Sequence, residues 1–331
     1  MARQSLHERF DIHSTAFMMA VLFDLMQQRY RPAVAAFPGH GNSHGKTAGV
    51  KIDMAFDLLT REIISHSLHS ATEQDKTIGK EFLVEVRYGD LVLRDMGYFC
   101  LSEFTAIEQR GAWWLTRLPL TTGVKLEDGC ILETYLKRHQ GDIIDLNVIV
   151  GAQGKKCRLV AIRAASEVTR ARRAKRRKQA AACGKNPCPK GLIRDAWHIM
   201  LTNLEKPHMS VSQLAEIYRA RWAVEIQFRA WKQALNLGKA LNRKSNEHHI
   251  QALVLAGMIA HQLGMKIAQR IGSIVGRARL SYEKLYDLLA VHLIKAGNLE
   301  ESAAFKPDLR HVQRDKRTRK SPVESGILAL T

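Results

Sequence analysis

Leu214–Leu237 reads LAEIYRARWAVEIQFRAWKQALNL, and the fold class turns on what this stretch is for. Ser210 followed three residues later by Gln213 is a capping-box pattern, which predicts a helix that begins near 211 and runs to about 237. At about 100° per residue, with Tyr218 set at 0°, Arg221 projects at about 300°, Glu225 at about 340° and Lys232 at about 320°. Four functional groups then share a stripe about 60° wide and about four turns long, bordered by Arg229 at about 20°. A solvent-facing helix with an ordinary i,i+4 ion pair between Arg221 and Glu225 projects the same way. Geometry alone leaves both readings open.

Upstream of this helix the pattern is mixed. Residues 47–59 (TAGVKIDMAFDLL) are rich in apolar and β-branched side chains and predict a strand paired with 62–70 (EIISHSLHS). Gly89-Asp90 introduces a short strand, Leu91 to Arg94, that ends in Asp95 and a turn at Gly97. Ser102 to Arg110 reads as a short helix closed by Gly111, and Ala112 to Leu118 as another strand. From about 120 to 163 the segments VKL, CILETYL, DIIDLNVIV and KCRLVAIRA read as short strands separated by turns. Trp197 to Leu201 is a further strand, and after Ser210 three helical segments are expected near 211–237, 246–272 and 280–297. No internal repeat is visible. The sum is an α/β core interrupted by a strand-rich, basic insertion and followed by a helical C-terminal region.

The charge has a definite place. The 331 residues carry 51 Lys plus Arg against 32 Asp plus Glu, net +19, and 46% of them are apolar. That composition is globular, and the basic excess points to a polyanionic partner, with nucleic acid the common one. Residues 163–190 hold ten basic side chains against Glu167 alone, almost half of the excess. The run Ala164–Ala182 lacks Gly and Pro and reads as a helix without an apolar stripe. Its Arg172, Arg173, Arg176 and Arg177 are candidate DNA contacts, giving salt-dependent affinity without sequence readout. A second basic cluster, Arg310 to Lys320, lies in the tail.

Several function classes drop out. The longest apolar run, Ala16 to Phe23, is far short of the ~18 residues of a membrane helix, and the amino terminus MARQSLHERF is not a signal peptide. Five scattered cysteines argue for reduced thiols, so a cytoplasmic, membrane-free protein is expected. Gly39-His-Gly-Asn-Ser-His-Gly45-Lys46-Thr47 imitates a phosphate-binding loop, but Gly39 to Gly45 encloses five residues and Gly41 to Gly45 three, where the motif needs four. No nucleotide cofactor is expected. Cys183 and Cys188 lack a second pair at zinc-finger spacing.

The spacing on the first helix decides between its two readings. Tyr218-x2-Arg221-x3-Glu225-x6-Lys232, in the context YRARWAVEIQFRAWK, resembles the signature helix of the cut-and-paste DDE transposases of insertion-sequence family four. LVLRDMGYF (Leu91 to Phe99) resembles that family's block around the second catalytic aspartate, and Phe37 to Gly39, Val50 to Leu59 and Leu201 to Asn203 also fit. The resemblance covers roughly residues 10–270. It implies a ribonuclease H-like core, with Asp95 and Glu225 as carboxylate ligands of two Mg2+ or Mn2+ ions and Tyr218, Arg221 and Lys232 on phosphates beside the cut. Asp95 and Glu225 are 130 residues apart, so 119–196 resembles the family's insertion domain. The divisions expected are 1–118 for the first part of the core, 119–196 for the insertion, 197–238 for the last strand and catalytic helix, and 239–331 for C-terminal helices and a basic tail. The implied partner is double-stranded DNA, both element ends and target, bound by a homodimer in the cytoplasm of a prokaryote, at the nucleoid.

Two departures qualify the expectation. Where the family has its first aspartate, this chain has His13 in the block His13-Ser14-Thr15-Ala16-Phe17. Asp11 lies two residues earlier, on the same face of a strand but displaced by about 6.6 Å. Asp53, on the following strand, is a weaker substitute. Histidine can ligate one metal ion but cannot bridge two, so impaired cleavage is expected, and a catalytically impaired DNA-binding remnant is the alternative to a working transposase. A general nuclease of the same core fold is a third reading, one that does not need the Tyr-Arg-Glu-Lys stripe. Only about a dozen residues precede the His13 site, where the family carries a DNA-end-binding domain, so an amino-terminally truncated copy is expected.

Overall fold

The computed structural model describes residues 37–39, 49–59, 63–222, 224–225, 248, 250–252, 254–259 and 284. Its first strands, β1 (Val50–Phe56) and β2 (Ile63–Ser70), form an antiparallel pair with an irregularity at Ala55/Phe56. Val50, Ile52, Met54, Ile63 and Leu68 of this pair pack with Phe37, Ile250, Val254 and Met258. The chain then crosses α1 (Asp75–Ile78) and a 3-10 turn, Glu81–Glu85, to enter the main sheet.

Six strands make up that sheet: β3 (Leu91–Arg94), β4 (Trp113–Arg117), β5 (Val124–Leu126), β6 (Ile143–Val150), β7 (Lys155–Arg163) and β8 (Trp197–Thr202). Their spatial order is β3-β4-β8-β7-β6-β5, with β3 and β4 parallel and every other pair antiparallel. Between strands come α2 (Leu101–Gln109), α3 (Leu132–Arg138), α4 (Ser166–Ala182) and α5 (Pro189–Arg194), and α6 (Val211–Ala220) follows β8. The architecture is mixed α/β. The stretch 119–196 supplies β5, β6 and β7 to the same sheet as β3, β4 and β8, and its apolar side chains share one core with theirs. Among the described residues no helix is long and apolar enough to cross a membrane.

Alternation along the strands divides the sheet into two faces. Trp114, Leu159, Ile199 and Leu201 point to one face, where Phe104 and Ile107 of α2 and Leu132 and Leu136 of α3 cover them. Phe104 stacks on Trp114 with ring centroids 4.3 Å apart, and Phe99 meets Phe104 edge-on at 5.3 Å. Leu115, Val160 and Met200 point to the other face and meet Leu214, Ile217 and Tyr218 of α6. Each such fully buried aliphatic side chain contributes about 1.5–3 kcal/mol.

The capping box expected at Ser210 is present: the Ser210 hydroxyl accepts from the Gln213 amide, and the Gln213 side chain accepts from the Ser210 amide. The loop that delivers α6 is pinned by Arg158, which forks onto Asp145 at 2.9 and 3.0 Å and donates to the carbonyls of Leu204 and Met209. Thr202 and Asn203 tie the same loop to β4, since Thr202 Oγ1 donates to the Trp114 carbonyl and Asn203 pairs with the Trp114 amide and the Ala112 carbonyl.

One local expectation is corrected. CILETYL, read as a strand, contains the helix α3. Leu132 and Leu136 are one helical turn apart and bury one side, Glu133 lies in the first turn, and Lys137 and Arg138 lie in the last. A short apolar run cannot be told apart by periodicity, and here the i,i+4 pair and end charges decide.

Candidate active site

Asp95 follows β3 directly, with extended backbone, and opens the 3-10 turn Met96–Tyr98. The three residues after Met96 each have a task. A Cβ on Gly97 would fall 2.8 Å from Asp75 Oδ2, so the turn lies against that carboxylate only with glycine there. Tyr98 donates its hydroxyl to Asp53 Oδ1 at 2.7 Å, joining the main sheet to β1, and Phe99 enters the core. Asp53 is therefore engaged by Tyr98. Behind Asp95, buried Arg94 donates to the Gly79 carbonyl at 2.6 Å and lies 3.6 Å from Glu103, whose carboxyl burial pushes above its usual range.

Helix α6 crosses the end of β3. The Tyr218 hydroxyl donates to the Arg94 carbonyl at 3.4 Å, and burial pushes its pKa up to about 12. At Arg221 the backbone bond tightens to the Tyr218 carbonyl, and Trp222, Val224 and Glu225 are again helical. The Arg221 guanidinium lies 2.8 Å from Glu225 Oε1 and 3.9 Å from Asp95 Oδ1. Both distances are measured from one nitrogen, so the two carboxylate oxygens are no more than about 6.7 Å apart, the two legs laid end to end. Burial opposes the charge on Arg221, but Asp95 and Glu225 outweigh it and hold the guanidinium above its ordinary range.

Two carboxylates 130 residues apart in sequence thus converge on one cationic group at the carboxyl ends of β3 and β4. The chemistry of the pair fits a hard divalent cation, because both donors are oxygen anions, both are partly open to solvent, and a positive charge already sits between them. Among the described residues no group of three or more His, Cys, Asp or Glu side chains gathers at one point. Asp11, His13, Arg229 and Lys232 lie outside the described residues.

The basic helix α4 has no buried residue, as its composition foretold. Its arginines divide, however. Arg176 forks onto Asp195 at 2.8 and 2.7 Å, Arg173 donates to the Leu192 carbonyl, and Arg172 donates to the carbonyls of Asp195 and Trp197. These three fasten α4 to α5 and to the start of β8. Arg177, with Arg170, Lys175 and Lys178, is exposed.

Sequence reasoning passed over a set of cations beside the carboxylates. Arg117 ends β4 and His198 stands near the start of β8, both on the α6 face. Arg172 Nη2 lies 3.2 Å from the His198 ring nitrogens. Partial desolvation of that ring, then the fields of Arg172, Arg117 and Arg219, push its pKa down to about 4. The signal lay in strand alternation combined with the ladder register, which no local motif carries.

The family to which this arrangement corresponds is clear from the sequence as a whole. Residues 20–261 match the model of the transposase DDE domain, and the chain belongs to that family. It is 27% identical over 258 residues to the transposase for insertion sequence element IS231F of Bacillus thuringiensis subsp. israelensis, covering 70% of this chain and 54% of that protein. The transposase for IS231D of Bacillus thuringiensis subsp. finitimus is 26% identical over 294 residues, covering 81% and 61%. That for IS1151 of Clostridium perfringens is 21% identical over 232 residues, covering 61% and 47%. The chain spans about half the length of the curated relatives it matches. No solved structure matches it.

Proposed function

We propose that the chain is the catalytic domain of an insertion-sequence transposase of family four, cutting the ends of its own element and joining the freed 3′-hydroxyl to target DNA. The observation that carries this reading is the convergence of Asp95 and Glu225 on Arg221, with the Tyr-Arg-Glu-Lys spacing on the helix that brings them together. In this reading 1–118 and 197–238 form a ribonuclease H-like core, 119–196 is an insertion that extends its sheet, and 239–331 holds C-terminal helices and a basic tail. The chain acts as a homodimer on double-stranded DNA at the nucleoid, with no nucleotide cofactor.

Asp95 and Glu225 are the residues that hold Mg2+ or Mn2+, two ions in all, with Asp11 or His13 as the third ligand. When bound, such ions supply Lewis acidity that activates the attacking hydroxyl and stabilises the leaving oxygen. The protein's own part is positional. Tyr218 fixes α6 against the end of β3 and so sets where Glu225 stands relative to Asp95. Arg221 neutralises the two like charges, and leaves them for a strand phosphate once they are otherwise neutralised. Lys232 and Arg229, farther along the sequence, grip the same strand.

His13 favours the second reading, a DNA-binding remnant with a defective metal site. Both are tested by incubating end-containing duplex with Mg2+ or Mn2+ and the wild-type, Glu225→Ala and His13→Asp proteins. The transposase reading expects nicking that Glu225→Ala lowers about a thousandfold or more, as loss of several kcal/mol of transition-state stabilisation does. Binding without nicking by the wild type, with nicking restored by His13→Asp, establishes the remnant instead.

A further inference from the structure

We infer that Arg117, Arg172, His198 and Arg219 form a second DNA contact, a site for one backbone phosphodiester on the α6 face of the sheet, next to the carboxylate pair. The inference rests on the reading of the chain as a DNA-acting protein and assigns a place on the fold to one contact.

The ladder registers put the site together. Arg94 pairs with Thr116 across the parallel strands, so Asp95 and Arg117 follow side by side at the ends of β3 and β4. Arg117 pairs with Met200 across β4 and β8, which leaves His198 diagonal to it, on the same face and within reach of a long side chain. Arg219 lies in the last turn of α6, the helix that covers this face. Arg172 arrives from α4 and closes the set at 3.2 Å from the histidine ring.

What marks the set as a site is that its arginines lack direct ion pairs among the described residues. The buried and half-buried Arg94, Arg158, Arg163, Arg176, Arg194 and Arg221 each face a carboxylate. Among the described residues, Arg117, Arg172 and Arg219 form no ion pair, although they stand close enough to act together on one ring. Arg117 opposes the charge on Arg172, which the Asp195 carboxylate offsets only in part, and an anion between the guanidiniums removes that cost. Guanidinium forks match phosphate oxygens in geometry, and the imidazole adds a donor. The low pKa of His198 follows from the same convergence, because only positive fields and desolvation act on it.

Position says which anion. Asp95, Arg117 and His198 stand on β3, β4 and β8, three neighbouring strands. Two strand spacings are about 10 Å, a separation that one or two nucleotides of a strand cover. A strand whose cleaved bond lies at Asp95 and Glu225 reaches this cluster with a nearby phosphate, and the exposed face of α4 continues the basic path beyond it.

The test is binding in EDTA, where no cleavage enters. Affinities of the full chain for an end-containing duplex are measured by fluorescence anisotropy across salt concentrations, for wild type, Arg117→Gln, Arg219→Gln and the double variant, with melting temperatures as the folding check. The double variant is expected to bind about tenfold more weakly at physiological ionic strength, with a salt slope shallower by about 1 for each guanidinium removed. NMR titration of the His198 ring adds a local reading: its pKa is expected to rise on addition of duplex, because a bound anion favours the imidazolium. Arg219 is exposed, so its variant remains informative should Arg117→Gln melt early. Unchanged affinity and slope in folded variants of a DNA-binding wild type overturn the site and leave the transposase reading intact. A wild type that binds no duplex overturns that reading, and the site with it. If inorganic phosphate alone moves the His198 pKa while duplex does not, the cluster is a free-phosphate site and the DNA contact is refuted.

Discussion

Helix α4 and the carboxyl edge of the main sheet are both rich in arginine, and they use it in opposite ways. The stretch around α4 holds almost half of the chain's basic excess, yet three of its arginines face inward, bonded to Asp195 and to backbone carbonyls of Leu192, Asp195 and Trp197. A helix with no buried apolar residue must be attached somehow, and here guanidinium groups attach it. At the sheet edge the cations are fewer. Arg221 is matched by two carboxylates, while Arg117 and Arg219 are matched by none among the described residues. Net charge therefore locates a polyanion poorly. The balance of each cation with its neighbours locates it better.

Substitutions within α4 provide the sharpest test of that contrast. Arg176→Ala leaves the buried Asp195 carboxylate without its fork and is expected to cost about 1–3 kcal/mol, seen as an earlier denaturant midpoint at an unchanged slope. A Cβ on Gly191 would fall 2.6 Å from Arg176 Cζ, so the guanidinium lies flat on that glycine and nothing else fills its place. Arg177→Ala, one residue on and exposed, is expected to leave the midpoint within about 0.5 kcal/mol and to weaken duplex binding about three- to tenfold. Equal losses of stability in the two variants would erase the distinction between anchoring and contacting arginines.

The same difference separates what is legible in the sequence from what is not. Apolar and β-branched runs between turn residues located all eight strands of the described residues, and the Ser210–Gln213 pair marked the start of α6, because those signals are local. CILETYL was misread since two helical turns carry too few apolar positions to show a period. The continuity of 119–196 with the rest of the sheet was illegible, because β7 finds β8 only across the intervening α4 and α5. Asp95 and Glu225 were singled out through motif spacing, whereas Arg117 and His198 belong to no motif and meet only through the register of three strands. The inward turn of Arg172, Arg173 and Arg176 was equally hidden, since outer and inner arginines look alike along a chain.

The smallest expected effect comes from His198, and it probes the uncompensated edge without DNA. Its ring faces Arg117, Arg172 and Arg219, and its folded pKa of about 4 lies below the 6.5 of a free histidine. Between those values the unfolded chain binds more protons than the folded one, so this residue makes stability rise with pH from about 4 to about 6.5 and adds nothing further above it. Solvent still reaches the ring, which holds the contribution to on the order of 1 kcal/mol. His198→Gln is expected to flatten that part of the stability profile, measured by urea unfolding at pH 5 against pH 7, with the Arg117→Gln variant partway between it and wild type. A profile unchanged by either substitution would mean that the three guanidiniums do not act on this ring, and that the sheet edge is as well neutralised as α4.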